Sequence, residues 1–152
     1  MGGARMESDL EAFVQEISGE IREEMQRAYG EEALERWERP RFMGRMNNPD
    51  GAAEIHGSCG DTMGVFLRFE NEIVAEASFV TDGCGSSMAC GSIAAEMAHG
   101  RTPDELLDIT PESIRERAGG LPKEDEHCSE LAVTTLHEAL NDYMKKRVHG
   151  DR

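Results

Sequence analysis

Over residues 8–28 the apolar positions recur at helical spacing. Leu10, Phe13, Val14, Ile17, Ile21, Met25 and Ala28 share one face, with acids and bases opposite, which predicts an amphipathic packing helix. Residues 1–7 have nothing to bury and are expected to be unstructured. Tyr29-Gly30 breaks the period. Glu31 to Glu38, with Ala33, Leu34 and Trp37 apolar, reads as a second short helix closed by Pro40, and Arg41 to Gly51 reads as loop.

The period then changes to two. Met63, Val65, Leu67 and Phe69 fall at every second position, Ile73, Ala75, Ala77 and Phe79 do so again, and Asn71-Glu72 between them predicts a hairpin turn. Ala53 to Ser58 is expected to pair as a further strand. In such an antiparallel meander Cys59-Gly60-Asp61 connects the first two strands and Cys84 follows the third, so both fall at one end of the sheet.

From Ser86 to His99 the chain reads as a helix rich in small residues, with Gly100 as its C-cap. Thr102 and Pro103 open a short helix as N-cap and first-turn residue, Pro111 to Arg117 forms another, and Gly119 to Pro122 turns. Cys128, Leu131, Ala132, Leu136, Ala139, Leu140, Tyr143 and Met144 mark a long amphipathic helix, with Lys145, Lys146 and Arg147 matched to its C-terminal dipole. No repeat or low-complexity tract interrupts the pattern. The predicted class is α+β: a small three-stranded antiparallel sheet with helices packed on one face, plus an N-terminal helical extension.

Length and charge narrow the partners. The chain has 152 residues, enough for one domain with a sizeable core but cramped for two. Asp and Glu number 31 against 16 Lys and Arg, a net charge of −15 that argues against nucleic acid and anionic membrane surfaces and favours cations. No basic-then-apolar leader and no membrane-length apolar run is visible, so a cytoplasmic location is expected, with the four cysteines as reduced thiols.

The candidate chemistry lies in three short stretches. In Thr81-Asp82-Gly83-Cys84-Gly85-Ser86-Ser87 a strand gives way to a helix, glycines flank an exposed thiol, and Ser86 or Ser87 is placed to cap the helix. Partial positive charge at a helix N-terminus favours thiolate, the form that binds metal or attacks sulfur. Cys128, beside His127 at the exposed start of the last helix, is expected to share that property. Three cysteines with one aspartate or histidine make a four-ligand set suited to zinc or an iron–sulfur cluster. Cys90 lies six residues past Cys84, on another side of the helix, and reads as core. His56, His99, His137 and His149 read as surface or packing residues, and the methionines as gap fillers.

These motifs resemble the IscU-type iron–sulfur cluster assembly scaffold family, also found as the N-terminal domain of NifU. The resemblance is carried by Ala52–Asp61-Thr62-Met63, Asp82-Gly83-Cys84-Gly85-Ser86-Ser87-Met88-Ala89, Gly100-Arg101-Thr102, and Leu121-Pro122 running to His127-Cys128-Ser129-Glu130-Leu131-Ala132. It implies a scaffold domain over residues 31–152 behind an extension over 1–30. It implies ligands at Cys59, Asp61, Cys84 and Cys128, with His127 as an alternative. It further implies sulfur supplied by a cysteine desulfurase and a [2Fe–2S] cluster passed on to apo iron–sulfur acceptor proteins, with zinc as an alternative occupant; Cys128, as a thiolate at an exposed helix start, is expected to be the persulfide acceptor. The family's Leu-Pro-Pro-Val-Lys stretch, which recruits an Hsp70-type chaperone, here reads Leu121-Pro122-Lys123-Glu124-Asp125, which leaves chaperone recruitment open.

The expected function is therefore a scaffold rather than an enzyme. The alternative is a zinc-binding sulfur-relay protein that activates a desulfurase. A structural zinc protein would unfold without its metal. A zinc hydrolase would need a carboxylate placed as base, and no motif places Glu124, Asp125 or Glu126 in that role.

Overall fold

The computed structural model describes residues 42–58, 60–83 and 85–148, and isolated helical positions between Ala12 and Arg27. Phe13, 58% exposed, is the one member of the expected apolar face among them; Leu10, Val14, Ile17, Ile21, Met25 and Ala28 lie outside the described residues. So do residues 1–7, the expected short helix from Glu31 to Glu38, and His149.

Three strands form an antiparallel meander in the order β1 (Gly51–His56), β2 (Thr62–Glu70), β3 (Ile73–Thr81). The first strand lies two residues earlier than the sequence predicts, because Gly57 leaves the ladder to donate its N–H to the Asp61 carbonyl at 2.8 Å. Asn71 and Glu72 both have positive φ, 53° and 64°, which is the backbone of a two-residue turn whose twist matches the paired strands.

Met63, Val65 and Leu67 are fully buried on one face of β2, as their alternation requires. In β3 the alternation is corrected by the structure. Ile73 is 43% exposed, while Val74 pairs with Phe69 and is buried. A bulge opposite Arg68 and Phe69 leaves Ala75 as the extra residue, so the strand changes phase and only Ala77 and Phe79 keep the predicted inward face.

Four helices follow: α1 (Ser86–Ala98), α2 (Pro103–Leu106), α3 (Pro111–Arg117) and α4 (Glu126–Val148), the last entered through a 3-10 turn at Lys123–Asp125. α1 and α4 cover the inner face of the sheet. α1 approaches so closely that a Cβ on Gly91 would strike the Phe79 ring, so only glycine fits there. α4 reaches the sheet through Tyr143, which stacks on Phe69 with centroids 3.9 Å apart.

α1 ends at Ala98 with His99 as cap and Gly100 in the left-handed region beyond it. Gly100 donates to the Val74 carbonyl and Val74 to that of Arg101, each at 2.9 Å, fastening the helix end to the start of β3. Both short helices begin with a capping box, Thr102 with Glu105 and Thr110 with Ser113, and each has proline in its first turn. On the other side of β3, Phe79 exchanges backbone hydrogen bonds with Phe42 and Gly44 at 2.9 and 2.8 Å, and Arg45 lies over the Phe66 ring. The predicted α+β class, with helices on a three-stranded antiparallel sheet, is the observed one.

Candidate metal centre

The turn after β1 is closed by the Gly57–Asp61 bond and by a second bond from the Gly60 N–H to the Gly57 carbonyl at 3.1 Å. The loop after β3 is laced to it. Asp82 accepts the Thr62 N–H on Oδ1 at 2.6 Å, and Thr81 donates its hydroxyl to the Thr62 carbonyl at 2.8 Å while accepting the Gly83 N–H at 3.1 Å. The two segments that carry Cys59 and Cys84 are thus tied together at one end of the sheet, as the meander predicts. Cys59 and Cys84 themselves lie outside the described residues.

The third segment is the first turn of α4. Ser129 donates its hydroxyl to the Glu126 carbonyl at 2.6 Å and accepts Arg115 Nη1 at 3.0 Å, which pins the helix start to α3. Cys128 is turned inward and is only 3% exposed. This corrects the expected exposed thiol: a cysteine on the apolar stripe of α4, three residues before Leu131, must face the core rather than solvent. His127, the adjacent residue, is half-buried.

Ser87 joins these segments. Its hydroxyl donates to Asp61 Oδ2 at 2.6 Å and lies 3.5 Å from Cys128 Sγ, in a fully buried position. Asp61 and Cys128 are therefore both brought to the oxygen of one small side chain. The expectation that Ser86 or Ser87 caps α1 fails here. Gly85 is the N-cap and, having no side chain, makes no cap bond; Ser87, in the first turn, donates to Asp61 instead. Ser87 was legible only as a capping residue; its actual partner is 26 residues away.

Cys90 is fully buried. Burial, and after it the charges of Cys128 and Asp125, push its thiol far above the ordinary range, with Arg115 opposing. A thiol held neutral is a poor ligand and a poor nucleophile, which agrees with its reading as core. His56 Nδ1 is 2.8 Å from Thr62 Oγ1 within the β1–β2 pair, and His137 Nε2 is 3.1 Å from the Leu106 carbonyl. A cleft of about 510 Å³ lies elsewhere, between residues 42–47 and Arg68, Glu76 and Ser78, and holds no cysteine.

Among the described residues no three His, Cys, Asp or Glu side chains are gathered into a group able to hold a metal. The donor chemistry that is present, a buried thiol and a carboxylate brought together by one hydroxyl, fits one soft and one hard corner of a mixed thiolate–carboxylate set. No described helix is long and apolar enough to cross a membrane.

A three-stranded meander with α1 and α4 on one face, and cysteine-bearing loops meeting the start of α4, defines an α+β domain of a known kind. Residues 28–149 match the NifU-like N terminal domain family, and the chain belongs to that family. It is 35% identical over 125 residues to the iron-sulfur cluster assembly scaffold protein IscU 1 of Archaeoglobus fulgidus, covering 82% of each chain. It is likewise 35% identical over 125 residues to the scaffold protein IscU of Escherichia coli K12, covering 79% of this chain and 97% of that one. In fold it is similar to the N-terminal NifU-like protein of Brucella abortus, with TM-score 0.63 at 19% identity over 80% of this chain and 98% of that one.

Proposed function

We propose that this protein is an iron–sulfur cluster assembly scaffold, not an enzyme. The observation that carries the reading is its 35% identity, over about four fifths of the chain, to proteins named as such scaffolds. The cargo is a [2Fe–2S] cluster built on Cys59, Asp61, Cys84 and Cys128, with His127 as an alternative ligand and zinc as an alternative occupant. Soft thiolates suit iron and sulfide, whereas the carboxylate is a hard oxygen donor and the easiest ligand for an acceptor's thiol to displace.

Sulfur comes from a cysteine desulfurase and the finished cluster goes to apo iron–sulfur proteins in the cytoplasm, without nucleic acid or membrane as partner. Cys128 is the sulfur acceptor: its thiolate attacks the outer sulfur of the donor's persulfide, the donor's S–S bond breaks, and the donor thiolate leaves. At 3% exposure Cys128 is reached only when the surrounding loops open. That opening makes sulfur transfer slower than reaction at a surface thiol.

The test is anaerobic incubation of the apo-protein with ferrous iron, cysteine and a desulfurase, followed by absorption spectroscopy. Sulfide-to-iron charge-transfer bands that fade as an apo-ferredoxin gains them are expected. A colourless protein that only retains zinc overturns the reading.

A further inference from the structure

We propose that Ser87 is a positioning residue for the metal corner made by Asp61 and Cys128, an assignment that rests on the scaffold function proposed above. A hydroxyl carries one donor proton and acceptor lone pairs, whereas an ionised carboxylate only accepts. The Ser87 proton is therefore spent on Asp61 Oδ2 at 2.6 Å, and the oxygen's lone pairs remain for the Cys128 side, 3.5 Å away. One buried atom thereby sets the distance and orientation between a hard ligand and a soft one. The energetic alternative was local: Ser87 sits in the first turn of α1, where a serine hydroxyl can bond its own backbone, yet its proton goes to a carboxylate 26 residues away.

Gly83 supplies an independent observation. A Cβ there would lie 2.5 Å from Asp61 Oδ2 and 2.7 Å from Ser87 Oγ, closer than any side chain can stand. Its backbone is not in the left-handed region, so space rather than conformation excludes other residues. The absent side chain at position 83 is what lets the Asp61–Ser87 bond form, and the two residues work as one device. With Oδ2 held by Ser87, Asp61 offers a metal a single, oriented oxygen. Without that bond the carboxylate is free to rotate away from Cys128 or to chelate through both oxygens. The ligand class is a divalent transition metal that accepts thiolate and carboxylate together.

The test uses Co²⁺ with the full-length apo-protein, reduced and free of oxygen, because thiolate-to-cobalt charge transfer and the d–d bands report thiolate ligation and geometry separately from any transfer activity. Outer-shell partners of metal ligands typically contribute roughly 10–100-fold in affinity. Ser87→Ala is expected to bind Co²⁺ about that much more weakly, with the intensity of the thiolate band retained and the d–d bands shifted. If Ser87 acts through Asp61, the double variant Asp61→Ala with Ser87→Ala binds no more weakly than Asp61→Ala alone. Gly83→Ala, which drives a methyl group into the same bond, is expected to weaken binding in the same Asp61-dependent way, and it carries the test if Ser87→Ala does not fold. Ser87→Ala binding Co²⁺ as the parent does, or losses in the two single variants that multiply in the double, would overturn the assignment. A parent protein with no thiolate-to-cobalt band at all overturns the scaffold function itself, and the metal role of Ser87 with it.

Discussion

The two ends of the sheet differ in the balance of forces that holds them. At the hairpin end, Val74 is buried among apolar neighbours, Phe69 stacks on Tyr143, and backbone bonds from Gly100 and to Arg101 close the edge. At the cysteine end the contacts are directional and made by side chains: Asp82 to Thr62, Thr81 to the Thr62 carbonyl, Ser87 to Asp61. Apolar burial tolerates small displacements because it scales with area rather than angle. A hydrogen bond weakens steeply when misaligned, so single atoms at the cysteine end can alter function while the apolar core between the sheet and its helices carries the fold. Stability and function should therefore separate in mutants.

The largest expected effect belongs to the core. Phe79→Ala removes a fully buried ring from beneath α1 and is expected to cost about 3–5 kcal/mol, read from the denaturant midpoint at unchanged slope. A cost below about 1 kcal/mol would mean that the sheet does not depend on α1 for its burial. Gly91→Ala sharpens the same point from the helix side, since the added methyl group must displace the ring, at about 1–3 kcal/mol.

Asp61→Ala should do the reverse. Little global stability should be lost, a cluster should still assemble, and its delivery to an apo-ferredoxin should slow, with His127 or solvent in the vacant place. Delivery at the parent's rate or faster would refute the idea that the oxygen ligand governs release, and would leave Asp61 as a turn residue.

Smaller effects come from the short helices between these regions. Thr102→Ala and Thr110→Ala each remove a capping box and should cost about 1 kcal/mol, additively, because the two boxes share no residue. Glu105 adds an acid dependence. Hydrogen bonds from Thr102 lower its pKa in the folded protein, so its contribution is present above the ordinary glutamate pKa and lost as the pH falls through the lowered one. In Glu105→Gln the melting temperature should fall less steeply over that acid range.

The smallest effect at neutral pH is that of Cys90. Its raised pKa means that folded and unfolded chains both hold the proton near neutrality, so its titration then contributes nothing. Above about pH 8.5 only the unfolded chain releases the proton, and stability falls as the pH rises. Cys90→Ala should remove part of that alkaline slope while leaving Co²⁺ binding unchanged; a loss of Co²⁺ affinity would draw Cys90 into the site.

The sequence by itself determined the class of fold and which loops meet at one end of the sheet. Period-two runs at Met63 to Phe69 and Ala77 to Phe79, a turn at Asn71-Glu72, and a capped helix at Thr102 are local signals, set by side-chain alternation and by a hydroxyl that reaches its own backbone. With the order of elements known, the ends of a meander follow from chain direction alone, which is why Asp61 and the loop after β3 could be placed together. The tertiary structure decided what local patterns cannot carry. The bulge that turns Val74 inward and Ile73 outward depends on the register against β2. The burial of Cys128 depends on what the first turn of α4 packs against. Ser87 could cap its own helix or bond across space, and it turned to Asp61, 26 residues away, beside Cys128, 41 residues away. The proton of a hydroxyl goes to the strongest acceptor within reach, and a carboxylate brought up by another loop is a stronger acceptor than a backbone carbonyl of its own helix.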